Sequence, residues 1–290
     1  EKYDAVRKYF KTAQEVTGID VASLCCEENE ALNQTEYTQI AMYTTECAIL
    51  NALQEKGIPY EAAAGLSLGE YAALTAAGAL SFKDGCYVIR RRGIYMEQAV
   101  PEGQGSMAAV LALSAKQTEE VLKTSLDTAK IGIANYNCPG QIVISGEKGE
   151  VERAAEVLKQ AGAKRVVPLR VSGPFHSPLL NTAGEKLAEV LAPCKLSGLK
   201  IPYISNTLAE PVTDKTKIKD LLTRQISSPV RWRESMEELI REGVGTLIEI
   251  GPGKTLSGFL KKIDRNAVVY SIQTMEDLEK TVELLKGRNL

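Results

Sequence analysis

The chain carries one histidine, His176, and one tryptophan, Trp232. Six cysteines are present (Cys25, Cys26, Cys47, Cys86, Cys138, Cys194), with no C-x-x-C pair and no H-E-x-x-H or Cys/His cluster. The sequence therefore offers no protein-built zinc site. Charge of one sign is missing as well: 35 Lys and Arg stand against 37 Asp and Glu, a net charge of −2. There is no overall basic field to draw nucleic acid, and a polyanionic partner would have to meet a local patch. No apolar run approaches the ~18 residues of a membrane span. No signal-type apolar stretch opens the sequence, and the reading is a reduced, cytoplasmic protein without membrane or nucleic-acid partners.

What is present fits an ordinary folded enzyme. The 290 residues, 44% hydrophobic and 25% charged, suffice for one large domain or a large domain carrying a smaller one. Tyr3 to Val16 is a charged helix-like stretch, and Thr38 to Leu53 has helical periodicity with Thr35 or Asn33 available as a cap. Tyr60 to Ala64 is a short apolar run that enters the turn Gly65-Leu66-Ser67-Leu68-Gly69. Helical patterns follow from Glu70 to Ala79 and from Phe82 to Gln98. From Gly105 the texture changes to Met107–Leu113, Ala115–Thr124, Lys130–Asn135, Gln141–Ser145, Gly149–Gln160 and Lys164–Leu169, in the order β-α-β-β-α-β. That order predicts a ferredoxin-like unit. Beyond it, Ile201–Ile204, Thr246–Ile250 and Ala267–Ile272 are strand candidates. The fold class is α/β: a parallel-sheet, α/β-hydrolase-like core formed by 1–104 and 171–290, with a ferredoxin-like small domain, 105–170, inserted in it.

The turn at Gly65 to Gly69 has the form G-x-S-x-G, in which glycines permit a tight strand-to-helix elbow that exposes the Ser hydroxyl. The pattern alone arises by chance in roughly one chain in ten of this length, so its weight comes from lying between an apolar strand and an apolar helix. The elbow puts the Leu68 amide at a helix N-terminus, where it can face an oxyanion. A serine hydroxyl needs a base to take its proton. A lone histidine is commonly a surface or satisfied core residue, but His176 lies in the turn-rich segment Ser172 to Pro178 beside the small domain, and with the elbow it becomes the candidate base. In the helix from Phe82, the residues Phe82, Gly85, Cys86, Ile89, Gly93 and Met96 share one stripe with Arg92 at its margin, while Arg91 points away. A guanidinium on an apolar side needs an anionic or hydrogen-bonding partner, and a substrate carboxylate suits its two-pronged geometry. Gly251 to Thr255 lacks the first glycine of a Walker loop, since Ile248 stands there, and reads as a strand-to-helix turn.

Taken together and in order, seven segments resemble the malonyl-CoA:acyl carrier protein transacylase family, also found as acyltransferase domains of fatty acid and polyketide synthases. They are Gly65 to Tyr71, Arg92-Gly93, Val100 to Gly103, Asn135 to Gln141, Pro174 to Ser177, Arg224-Gln225 with Pro229 to Trp232, and Glu249 to Lys254. The resemblance implies a malonyl group carried from malonyl-CoA to the phosphopantetheine thiol of acyl carrier protein as an ester on Ser67, with coenzyme A only as part of substrate and product and no tightly bound cofactor. It makes His176 the general base, Arg92 the clamp on the malonyl carboxylate, and the Gln225 backbone carbonyl the group that orients the histidine. It makes Phe175 the bulky residue that leaves little room for an α-methyl branch, and it places Asn135, Asn137, Lys164 and Arg165 along the channel of the coenzyme A or phosphopantetheine arm. Acyl carrier proteins are acidic, so Lys164 and Arg165, with Lys254, Lys261 and Lys262, are candidates for a docking patch.

The sequence departs from the family pattern in two places. Leu66 stands where the family usually has His before the nucleophile, which implies altered local packing. The family also opens with a strand and a Q-G-x-G-x-Q loop whose first Gln helps form the oxyanion hole; the sequence starts at Glu1 without them, and the expectation is that such a segment precedes Glu1. Two rival readings remain beside transfer. A serine hydrolase or thioesterase fits the elbow, although the usual hydrolase order does not place a whole small domain between Ser and His. A carrier-protein-binding module with weakened chemistry is supported by Leu66 and the absent loop, and opposed by Ser67, His176 and Arg92.

Overall fold

A computed structural model describes residues 4–287. Residues 1–3 and 288–290 of the expected core, and Tyr3 of the expected opening helix, lie outside the described residues. Five helices come first: α1 (Asp4–Thr17), α2 (Val21–Cys26), α3 (Thr35–Glu55), α4 (Gly69–Ala76) and α5 (Phe82–Gln98). The middle of the chain contains β1 (Gly105–Leu111), α6 (Ala115–Ser125), β2 (Ile131–Cys138), β3 (Gln141–Glu147), α7 (Lys148–Gln160) and β4 (Arg165–Pro168). After it come α8 (Asn181–Leu191), β5 (Tyr203–Ile204), β6 (Pro211–Val212), α9 (Ile218–Gln225), α10 (Trp232–Arg241), β7 (Thr246–Ile250), α11 (Thr255–Ile263), β8 (Val268–Ile272) and α12 (Met275–Lys286).

The middle segment forms a four-stranded sheet in the order β2-β3-β1-β4, antiparallel at every pairing. This is the arrangement that two interleaved β-α-β crossovers produce. Alternation along the strands gives the sheet two different faces. Val110, Ile133, Ile142 and Ile144 pack under Leu122 of α6 and Val151, Ala154 and Leu158 of α7. On the opposite face Met107, Ala134 and Val143 pack against Leu169 and Phe175. Phe175 precedes His176, so this second face is turned toward the candidate site. Ser114 starts α6 with a capping box that uses Gln117, which fixes where the first crossover turns.

The core is built on α3, whose Ile40, Tyr43 and Cys47 meet Tyr71, Leu74, Cys86, Ile89 and Met96 of α4 and α5. Neither Thr35 nor Asn33 caps α3: Gln34 holds the cap position with no side-chain bond, and the Thr35 amide donates instead to Glu97 of α5 at 2.9 Å. A tertiary carboxylate has taken over what a local cap would do. At Gly93 a Cβ would stand 2.8 Å from the Glu36 Cα, so α5 reaches α3 at a backbone-to-backbone contact that no side chain fits. Gly93→Ala is expected to lower stability by about 1–3 kcal/mol through overpacking, to be read as a shift in the urea midpoint.

Parallel pairing in the core occurs at β7 with β8 and at the isolated bridge between Ala63 and Tyr203. The expected strand Tyr60 to Ala64 is reduced to that bridge, and of Ile201 to Ile204 only Tyr203–Ile204 is strand, paired antiparallel with β6. Short apolar runs carry no record of how many neighbours they will pair with. Gly251 to Lys254 is the expected strand-to-helix turn; the Glu249 carboxylate accepts from the Leu256 and Ser257 amides at 3.0 and 2.9 Å and so completes the start of α11. The small sheet and the core share main-chain bonds: Tyr136 N–H donates to Val230 at 2.9 Å, and Val230 N–H donates to Ala134 at 2.8 Å. Among the described residues no helix is long and apolar enough to cross a membrane, and no disulfide joins the six cysteines.

Candidate active site

Ser67 sits between the Ala63 bridge and α4 with φ 54°, a left-handed conformation rare for a residue with a Cβ. Side chains from distant segments hold it there. The Ser67 amide donates to Asn206 Oδ1 at 2.6 Å, Asn206 Nδ2 donates to the Gly65 carbonyl at 2.7 Å, and Gln225 Nε2 donates to the Ser67 carbonyl at 2.8 Å. Gly65 is needed for close approach: a Cβ there would lie 1.9 Å from the Gly69 carbonyl oxygen. The Leu68 amide has no hydrogen-bond partner among the described residues and opens α4, as an oxyanion donor would.

The elbow and the lone histidine meet. Ser67 Oγ is 2.7 Å from His176 Nε2, and His176 Nδ1 is 2.8 Å from the Gln225 carbonyl oxygen. A carbonyl can only accept, so Nδ1 carries the proton and Nε2 presents its lone pair to the serine hydroxyl. His176 also has a left-handed backbone, φ 59°, and is 4% exposed. Burial, and next the charge of Arg92, pull its imidazole pKa down from 6.5 to about 4, against an opposing pull from the hydrogen bonds to Gln225 and Ser228. The ring is therefore neutral, the form that can accept a proton, throughout the physiological range.

Arg92 reaches the same point from α5. The margin of the apolar stripe turns out to be interior, 1% exposed, whereas Arg91 is on the surface. Nη1 donates to Gln39 Oε1 at 2.6 Å, and Nη2 donates to Ser67 Oγ at 3.1 Å and Gln225 Oε1 at 3.0 Å. The guanidinium lies 5.4 Å from the Tyr71 ring, its Nε has no partner, and it makes no ion pair among the described residues. Burial lowers its pKa. A buried cation whose hydrogen bonds all go to neutral groups is costly, and a bound carboxylate would offset the cost.

The remaining expected residues lie farther out. Phe175 is half-buried between the core and the small sheet. Asn135 and Asn137 are buried on β2; Asn135 bridges Val230, and Asn137 Oδ1 has no partner among the described residues. Lys164 and Arg165 are exposed at the outer strand of the sheet and touch neither Ser67, His176 nor Arg92 by hydrogen bond. Arg165, Leu111, Gln141 and Cys138 form one row across the sheet, and Lys262 of α11 acts electrostatically on Cys138. Arg165 and Cys138 thus stand at opposite edges of the sheet, about three strand spacings or ~14 Å apart. A cavity of about 440 Å³ between sheet and core is lined by Tyr136, Arg224, Ser228 and Arg231 among others, and by none of Ser67, His176 and Arg92. Leu66 packs in the apolar cluster of Trp232, Met236 and Leu260. No group of three or more His, Cys, Asp or Glu side chains able to hold a metal occurs among the described residues.

Two site residues escaped the sequence reading. Gln39 had a signal, a polar residue on the apolar face of α3. Asn206 had none, because an Asn after a short strand reads as an ordinary turn residue.

Residues 3–277 match the acyl transferase domain family. The chain is 46% identical over 291 residues to the malonyl CoA-acyl carrier protein transacylase of Bacillus subtilis, covering 100% of this chain and 92% of that protein. The crystal structure of malonyl CoA-acyl carrier protein transacylase from Clostridium perfringens superposes with a TM-score of 0.95 at 42% identity, covering 99% of this chain and 91% of that one. A type II PKS acyl-carrier protein in complex with its malonyl-transacylase gives a TM-score of 0.94 at 37% identity, with 98% and 92% covered. With the serine elbow, the buried histidine and the order of elements all in place, this chain belongs to the acyl transferase domain family.

Proposed function

We propose that this protein is an [acyl-carrier-protein] S-malonyltransferase that carries the malonyl group as an ester on Ser67. The observation that carries the substrate class is the Arg92 guanidinium, buried without a hydrogen-bonded carboxylate among the described residues and 3.1 Å from Ser67 Oγ. An acyl thioester with a free carboxylate supplies the missing charge while its carbonyl lies over the serine. The relatives' names supply the two partners, malonyl-CoA and acyl carrier protein. The six unpaired cysteines accord with a cytoplasmic setting.

In this reading Ser67 Oγ attacks the thioester carbonyl as its proton passes to His176 Nε2, and the Leu68 amide faces the developing oxyanion. The C–S bond breaks, the coenzyme A thiolate takes the proton from His176, and malonyl-Ser67 remains. The phosphopantetheine thiol then gives its proton to His176, its sulfur attacks the ester, and Ser67 recovers the proton as malonyl leaves on the carrier. The Gln225 carbonyl keeps His176 in the required tautomer. Residues 105–170 serve as the small domain, whose Asn135 and Asn137 face the arm of either thioester, with Lys164 and Arg165 nearer the carrier. Phe175 restricts the space beside the acyl group.

Intact-mass spectrometry tests the reading. Incubation with malonyl-CoA should add one malonyl group, and holo-acyl carrier protein should then remove it as malonyl-carrier. An adduct lost to water at the same rate with and without the carrier would mean a hydrolase, and no adduct would mean a binding module. A further expectation concerns docking: reversing Lys164 and Arg165 to Glu should raise the apparent KM for carrier protein several-fold at low salt, and less at high salt where such attraction is screened. An unchanged KM would remove both residues from the interface.

A further inference from the structure

Glu70 takes no part in the steps above, yet it is the most deeply buried acid next to the site, 0% exposed in the first turn of α4. Its Oε2 accepts from Gln225 Nε2 at 2.6 Å and from the Asn206 amide at 3.3 Å, while its Oε1 has no partner among the described residues. The Gln225 carboxamide is thereby held at three points. Its Nε2 gives hydrogens to Glu70 Oε2 and to the Ser67 carbonyl, and its Oε1 accepts from Arg92 Nη2. Turned over, the same amide would point its NH2 at the guanidinium and its oxygen at two other oxygens, so the three partners together permit one sense only. Burial is the largest cause that raises the Glu70 carboxyl to about 8. A proton held by that shift has a place on the unpartnered Oε1, which leaves Oε2 an acceptor in either state.

We infer that Glu70 is a positioning residue that acts through Gln225 to hold Arg92 in register with Ser67, and so sets the preference for an acyl thioester bearing a free carboxylate. The inference rests on the malonyl-transfer reading. Arg92 is anchored by two amide oxygens, one on Gln39 and one on Gln225. If Gln225 loses its orientation, Nη2 keeps only the rotatable Ser67 hydroxyl, and the guanidinium can swing about its bond to Gln39. A substrate carboxylate then meets a displaced partner, whereas an acetyl group, with no carboxylate, does not sense the change.

The test compares Glu70→Asp, Glu70→Leu and Glu70→Gln in the full chain, measuring single-turnover acylation of Ser67 by malonyl-CoA and by acetyl-CoA. Asp keeps the carboxyl group but withdraws the acceptor by one methylene, Leu removes it, and Gln returns a neutral group with an oxygen at the Oε2 position. Malonyl acylation should fall by about 10²-fold in the Asp and Leu variants, the loss expected for a displacement on the order of 1 Å. Acetyl acylation should fall far less, so that the malonyl-to-acetyl ratio drops at least about tenfold. The Gln variant should keep the ratio of the unaltered protein. A ratio unchanged in whichever of the Asp and Leu variants melts cooperatively, or a Gln variant as impaired as Asp, would overturn the inference. An unaltered protein that takes no malonyl adduct would overturn the transfer reading itself, which separates the two failures.

Discussion

Ser67→Ala is expected to take no acyl group from malonyl-CoA, and His176→Ala to acylate about 10²–10⁴ times more slowly, the usual contribution of a positioned general base. The geometry makes both effects large. Among the described residues Ser67 Oγ has one basic neighbour, His176 Nε2 at 2.7 Å, and Arg92 on its other side can only donate. No second histidine exists to substitute. The base must be neutral to work, and burial followed by the Arg92 charge brings the His176 pKa to about 4. The acid limb of kcat/KM should therefore lie near pH 4 instead of near the ordinary 6.5, with activity retained as pH falls through 6 and 5. Acylation measured in brief acid pulses would show it. A normal adduct on Ser67→Ala would remove Ser67 from the mechanism, and an acid limb at 6.5 would mean that burial and Arg92 do not depress the His176 imidazole in the working enzyme.

Arg92→Ala should lose malonyl acylation by about 10²-fold or more while acetyl acylation holds or rises, since truncation withdraws a charge-assisted partner from one substrate only. The same change removes the second cause of His176's depressed pKa, so the acid limb should move upward from its position in the unaltered protein. Both readouts are needed because Arg92 is also a tie between Gln39 and Gln225. Equal losses with malonyl and acetyl, and an unmoved limb, would make Arg92 a structural tie alone.

Legibility varied with how local each determinant is. The order β-α-β-β-α-β could be read because alternation and capping are written into neighbouring residues, as at Ser114 with Gln117. The helix from Phe82 to Gln98 has its expected limits because Ser81 caps it locally, accepting from the Asp84 amide. The start of α3 departed from expectation because its first amide is answered by Glu97, 62 positions away. Tyr60 to Ala64 has the apolarity of a strand, but strand identity depends on neighbours, and only Ala63 forms a bridge.

The sequence by itself determined the chemistry on offer: one serine on a G-x-S-x-G turn, one histidine in a turn-rich segment, and one arginine at the edge of an apolar helical stripe. Tertiary structure decided that the three meet, and in what state. Residues 67, 92, 176 and 225 come from four segments, and only chain packing brings His176 Nε2 to 2.7 Å and Arg92 Nη2 to 3.1 Å from one hydroxyl. Burial is likewise a property of the assembled chain. It neutralises His176, leaves Arg92 a cation with no carboxylate hydrogen-bonded to it among the described residues, and recruits Gln39, Glu70 and Asn206, whose parts depend on contacts up to 155 positions apart that no local pattern encodes.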